Sequence, residues 1–190
     1  MWPGMWPRCL FSSTAHATIR PMQDQVHELA KEIGELSIRQ GIRLVTAESC
    51  TGGGISKVIT DLPGSSAWFE AGLVTYSNQA KQALLNVPAQ LLEEHGAVSA
   101  AVAEAMARGA LTRVAAHIAV AVTGIAGPDG GNKEKPVGTV WLAWATVVPD
   151  NVRVRLEQFS GDRDTIRQLT VTAALKGVLA ILNDSGGHHV

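Results

Sequence analysis

Two apolar runs that each stop in glycines constrain this chain more than any other feature. "VTAESCTGGG", from Val45, and "AVAVTGIAGPDGG", from Ala119, both read as a buried strand opening into a turn nearly bare of side chains. Helical patterns fill the spaces around them. From Met22 to Gln40 apolar residues recur at Val26, Leu29, Ala30, Ile33, Leu36 and Ile38, with Gly41 as the stop. A strand over Ile42–Ala47 follows, then a helix over Thr51–Asp61 that breaks at Leu62-Pro63-Gly64. Ala67–Tyr76 reads as a second strand, Ser77–Leu85 as a short helix, and Pro88 starts another helical turn. Ser99 caps an alanine-rich helix to Val114, before the strand His117–Val122. Val137–Val147 and Val152–Phe159 are strands joined at Pro149-Asp150-Asn151, close enough for an antiparallel hairpin, and Asp164–Leu182 is a closing helix. Strands alternating with helices, plus one late hairpin, predict an α/β fold: a three-layer α/β/α sandwich with a mixed β-sheet, in a single domain.

That domain is expected over residues 22–185, with 186–190 as a tail. The first 21 residues, "MWPGMWPRCLFSSTAHATIRP", carry three prolines, no acid and no periodicity. They read as a disordered, dispensable arm, and the apolar stretch at Cys9–Phe11 is too short for a signal-peptide core. A net charge of -1 removes the basic excess that nucleic-acid binding requires. No apolar run approaches the length of a membrane span. Cys9 and Cys50 form neither a disulfide framework nor a metal-ligand spacing, so a reducing cytoplasm is expected, with no metal and no cofactor. The alanine-rich helices make a homo-oligomer the expected assembly.

The turn after Glu48 sets Ser49, Cys50, Thr51, Gly52 and Gly53 at a strand's carboxyl end, ahead of a helix. Unpaired backbone N–H groups there suit an anion or a developing oxyanion, and Ser49 or Cys50 at the lip is a candidate nucleophile. The same residues also fit a plain helix cap. No histidine is placed to complete a serine–histidine triad: His16 lies in the arm, His188 and His189 in the tail, His27 on the first helix, and His117 opens a strand. "TYSNQAK" offers another base. Tyr76 ends a strand, Asn78 can cap or orient, and Lys81 lies one turn into a helix. An ordinary lysine, with a pKa near 10.4, is neutral in roughly one molecule per thousand at pH 7, so a lysine base demands burial or a neighbouring positive charge. A solvated surface lysine is the plainer alternative. The spacing from Tyr76 to Lys81 is one residue too long for the Tyr-x-x-x-Lys of short-chain dehydrogenases.

The second glycine-rich turn carries Thr123, Gly124, Gly127, Pro128, Gly130 and Gly131, whose bare amides can nest a phosphate. It lacks the Gly-Lys-Ser/Thr ending of a P-loop, which excludes triphosphate transfer. Paired with the first turn it makes a site for a mononucleotide plausible. Arg163 and Arg167 share one helix face four residues apart. A phosphate clamp and an ion pair to a neighbouring helix or subunit both fit them, and the ion pair is the expected use.

Taken in order, "TAESCTGG", "LPGSSAWFEAGLVTYSNQAK", "HGAVS", "AVAVTGIAGPDGG" and "KPVGTVWLAWA" resemble the CinA C-terminal-domain family, the nicotinamide-nucleotide amidases. The resemblance runs from about Met22 to Leu182. It implies hydrolysis of nicotinamide mononucleotide to nicotinate mononucleotide and ammonia, without a metal, in pyridine-nucleotide recycling. It places the family's nucleophilic serine on Ser49 and its lysine on Lys81, with Tyr76 beside it. The glycine turns and Asn78 are then expected to hold the substrate. Some members carry a further N-terminal domain resembling molybdopterin-biosynthesis proteins, for which the first 21 residues offer no counterpart. A cysteine amidase using Cys50 and a non-catalytic nucleotide-binding module are the alternatives.

Overall fold

The computed structural model describes residues 13–186 apart from residue 149, with side chains over 24–184. In chain order the elements are α1 (Ser13–Gln40), β1 (Leu44–Glu48), α2 (Gly54–Thr60), β2 (Phe69–Val74), α3 (Asn78–Leu85), α4 (Ala89–His95), α5 (Ala100–Arg113), β3 (Ile118–Gly124), β4 (Thr139–Val147), β5 (Asp150–Gln158) and α6 (Arg163–Gly186). The five strands form one sheet in the order β2-β1-β3-β4-β5. β1 runs parallel to both β2 and β3, while β4 is antiparallel to β3 and to β5. The sheet is therefore mixed, and the late hairpin is its antiparallel flank.

The pleat sends alternate residues into two cores of different character. Leu44, Ile118, Val120, Val122, Val140, Leu142 and Trp144 face α1, α2 and α6. Val45, Ala47, Ala119, Ala121, Ala143 and Ala145 face α3, α4 and α5, where Ala103, Met106, Ala107 and Ala110 of α5 meet them. One face is packed with bulky aliphatic side chains and the other almost wholly with alanine. Helices on both faces complete the three layers.

Several boundaries differ from expectation. α1 begins at Ser13, not Met22, so the second half of the arm is helical; residues 1–12 lie outside the described residues. β2 is shorter than Ala67–Tyr76, because Ser65–Ala67 is a turn of 3-10 helix. Asp150 and Asn151 belong to β5, not to the hairpin turn. Between Arg163 and Asp184, α6 is long and apolar enough to cross a membrane, the one such helix among the described residues. Its apolar side chains Ile166, Ala174, Leu175, Val178 and Leu182 are spent on the core under the sheet. A buried helix in a three-layer fold is apolar for the same reason a membrane helix is.

Candidate active site

β1 ends by carrying Glu48 and Ser49 to the carboxyl edge of the sheet, beside Thr123 and Gly124 of β3. Ser49 N donates to Val122 O at 3.1 Å, and Gly52 N returns to Ser49 O at 3.1 Å. The turn thus closes on the serine itself. Gly52 and Gly53 hold it with φ of +60° and +94°, a region where a Cβ is strained.

The helix that follows starts at Gly54, three residues later than expected, and its first amides are already taken. The fully buried carboxylate of Glu48 accepts from Ile55 N at 3.0 Å and Ser56 N at 2.8 Å. It also accepts from the hydroxyls of Ser56 at 2.6 Å, Thr51 at 2.7 Å and Thr46 at 3.3 Å. The expectation that the α2 N-terminus receives an oxyanion is therefore corrected: an internal carboxylate occupies it, as charge at a helix start favours. The amides of Cys50 and Thr51 are taken by no backbone acceptor among the described residues and lie against the Cys50 sulfur. Thr51 itself points inward to Glu48, away from the serine.

Lys81 reaches the same point from the other side of the sheet. Ser77 caps α3 by accepting from Ala80 N at 3.0 Å, so the cap is Ser77 and not Asn78, which is exposed at the first helical position. The far end of α3 is fixed by Arg113, which donates to Leu84 O, Ala83 O and Asn86 Oδ1 at 2.7, 3.0 and 2.6 Å. Gly109 lets α5 close on it: a Cβ there would stand 1.9 Å from Leu85 O. So held, the Lys81 side chain is 1% exposed and its Nζ lies 3.0 Å from Ser49 Oγ. Nζ also donates to Thr75 O at 2.8 Å and Tyr76 O at 3.2 Å.

Burial holds the Lys81 amine below the ordinary lysine range. A Cys50 thiolate would oppose this, but burial pushes that thiol up to about 11, so it is uncharged at neutral pH. The surroundings suit a neutral amine as well as an ammonium. As an ammonium, Lys81 Nζ donates to Ser49 Oγ and to both carbonyls. As a neutral amine it can keep both carbonyls with two N–H groups and turn its lone pair to Ser49.

Ser49, Cys50, Tyr76, Lys81, Thr123 and Gly124, with Ala97, Val98, Ala126 and Arg163, enclose a cavity of about 200 Å³. Thr123 fixes its wall by donating to Ala97 O at 2.8 Å. Tyr76 contributes a carbonyl to Lys81, while its phenol is exposed and lies 3.4 Å from Arg163 Nη2. Arg163 also donates to Gly127 O at 2.7 Å. Among the described residues of this chain it forms no ion pair, so the helix-to-helix form of the expected pairing is not made. Pro128, Gly130 and Gly131 lie on the exposed outer part of the glycine turn, outside the cavity lining, and Gly131 is required by packing, since a Cβ would sit 2.7 Å from Val137 N.

Fold and site together define a single-domain α/β/α protein whose reactive side chains gather at the carboxyl ends of its parallel strands. The chain belongs to the CinA C-terminal domain family, which it matches over residues 26–182. It is 55% identical over 160 residues to the nicotinamide-nucleotide amidohydrolase PncC of Pseudomonas putida, covering 83% of this chain and 98% of that one. The protein of the same name from Escherichia coli K12 is 51% identical over 152 residues, 80% of this chain and 92% of its own. The crystal structure of the competence/damage inducible protein CihA from Agrobacterium tumefaciens superposes with a TM-score of 0.80 at 46% identity, over 83% of this chain and 95% of that one.

Proposed function

We propose that this chain hydrolyses the carboxamide of nicotinamide mononucleotide, giving nicotinate mononucleotide and ammonia through an acyl-enzyme on Ser49. The observation that carries the reading is the buried Lys81 Nζ, which donates to Ser49 Oγ at 3.0 Å and to the carbonyls of Thr75 and Tyr76. Once the amine is neutral, two N–H groups keep the carbonyls and its lone pair takes the hydroxyl proton. The names of the relatives supply the substrate; the geometry supplies the chemistry.

Ser49 Oγ attacks the carboxamide carbon while its proton passes to Lys81 Nζ. The Cys50 and Thr51 amides, which have no backbone acceptor, are the donors that would turn from the Cys50 sulfur to the resulting oxyanion. Collapse breaks the C–N bond, and the Lys81 proton leaves with ammonia. Water then adds to the ester, Lys81 takes its proton, and return of that proton to Oγ frees the carboxylic acid. The cavity is sized for the pyridine ring. The ribose phosphate lies outside it, towards Arg163 and the glycine turn at Gly124 and Gly127.

The test is ammonia release from nicotinamide mononucleotide by the full chain, with quenched turnover read by mass spectrometry. An adduct of nicotinate mononucleotide on Ser49, and its loss in Ser49→Ala while Cys50→Ala stays active, is the expected result. An adduct on Cys50 overturns the serine assignment, and substrate binding without ammonia release overturns the enzyme. The raised thiol pKa and the burial of Cys50 already weigh against a cysteine nucleophile.

A further inference from the structure

Behind the nucleophile turn, on the face of the sheet covered by α1, α2 and α6, lies a second and larger cavity of about 340 Å³. It contains neither Ser49 nor Lys81. Its walls are apolar at Val26, Val58 and Val171, and its floor reaches the backbone of Thr51 and Gly54. Charges line the rest. Asp61 is satisfied within the protein, by Lys57 at 2.6 Å and His27 at 3.3 Å. Arg167 is not. Its Nη2 donates to Thr51 O at 2.7 Å, its Nε is buried without an acceptor, and among the described residues it forms no ion pair. A buried guanidinium N–H with no partner is costly. Nε itself is closed to solvent, but the guanidinium lines the cavity without a counter-charge, and an entering anion can engage its remaining N–H groups.

We infer that this cavity is a binding site for a small organic monocarboxylate, its oxygens on Arg167 and its apolar body against Val26, Val58 and Val171. A monoanion fits better than a phosphate dianion, because Asp164 lines the same space and repels a second negative charge, while Asp61 is already paired with Lys57. The volume matches the lower end of small-molecule sites, about 300 Å³, which suits a single ring and its carboxylate. An occupant also bears on the catalytic turn, since the guanidinium it engages holds the carbonyl two residues beyond Ser49.

The probe is sodium benzoate, titrated into the isotope-labelled full chain and followed by amide chemical shifts. Saturable shifts at Val26, Val58 and Val171, with a response at Thr51, are expected, and Ser49→Ala should bind equally well. Arg167→Gln should weaken binding about tenfold or more, the loss of a charge-assisted hydrogen bond. Thr172→Trp, which fills the cavity from its α6 rim and leaves Arg167 in place, should do the same and serves where Arg167→Gln fails to fold. Inorganic phosphate should bind more weakly than benzoate. Absence of saturable shifts, shifts confined to the Ser49 cavity, or unchanged affinity in both variants overturns the site; tighter binding of phosphate overturns its carboxylate character.

Discussion

Glu48 and Ser56 are bound twice, the carboxylate accepting from the Ser56 amide at 2.8 Å and from its hydroxyl at 2.6 Å. The residue immediately before the nucleophile is thereby tied to the first turn of the helix that follows it. With Thr51 and Ile55 N on the other oxygen, the loop from Ser49 to Gly53 is pinned at both ends by one buried charge. The shape of the turn that carries the reactive hydroxyl depends on this carboxylate.

Glu48→Gln should accordingly cost about 3 kcal/mol of stability, since an amide NH₂ would face donors in place of an acceptor. Thermal melts would show it as a lowered Tm. Turnover should fall with little change in KM, because the displaced group is the nucleophile and not the binding surface. A variant with the parent's Tm and kcat would show that the carboxylate is dispensable.

Lys81→Met should be more stable than the parent and at least about a hundredfold slower, the lower bound of a general base's contribution. The stability half has a pH signature. The folded state disfavours the ammonium, so between the lowered folded pKa and the ordinary lysine value the unfolded chain binds more protons, and stability rises with pH. Below that window the penalty is constant. Lys81→Met should abolish the slope. In the parent, kcat/KM should rise with pH as the amine loses its proton, with the limb below the ordinary lysine range. Lys81→Arg with near-parent turnover would reduce the lysine to a binding group.

Gly109→Ala tests how the lysine is aimed. The added Cβ would stand 1.9 Å from Leu85 O, a backbone atom that cannot turn aside, so α3 must move off α5. A loss of about 1–3 kcal/mol is expected from the overpacking. A drop in kcat larger than the unfolded fraction explains is expected as well, because Lys81 rides on α3. Unchanged kinetics in the folded protein would mean that Lys81 finds Ser49 without this contact.

A chain beginning at Met22 should keep its Tm and its turnover. Every buried hydrophobic residue of the described core lies between Val26 and Leu182. A clear loss of either quantity would assign residues 1–21 a structural role.

Ser49 and Lys81 are legible in the sequence because each stands beside an interruption: one where a strand meets glycines, the other one turn after a strand ends. Glu48 is not, since a carboxylate at a strand end looks like any solvated terminus until the fold wraps five donors around it. The arginines fail for a related reason. Spacing sets Arg163 and Arg167 on one helix face, but their long side chains diverge, one to Gly127 and the other to Thr51. The layer architecture follows from alternating patterns, whereas the helix start at Gly54 depends on backbone and carboxylate partners that no local pattern records.

The alanine face of the sheet makes the two layers unequal targets for sequence drift. Against α1 and α6 the side chains are large enough to exchange volume with one another, so that layer can be rewritten piecemeal. Against α5 the strands present mostly alanine, so little can be trimmed from the sheet side. A methyl group gained at Ala119, Ala121 or Ala143 must be answered by moving a whole helix, and through α3 that motion reaches the catalytic amine. Saturation mutagenesis scored for folding and for turnover should divide along this line. Substitutions on the aliphatic face would be lost chiefly through stability. Those on the alanine face would also be lost while the protein is still folded, giving a buried layer, remote from substrate, that evolves at the pace of an active site.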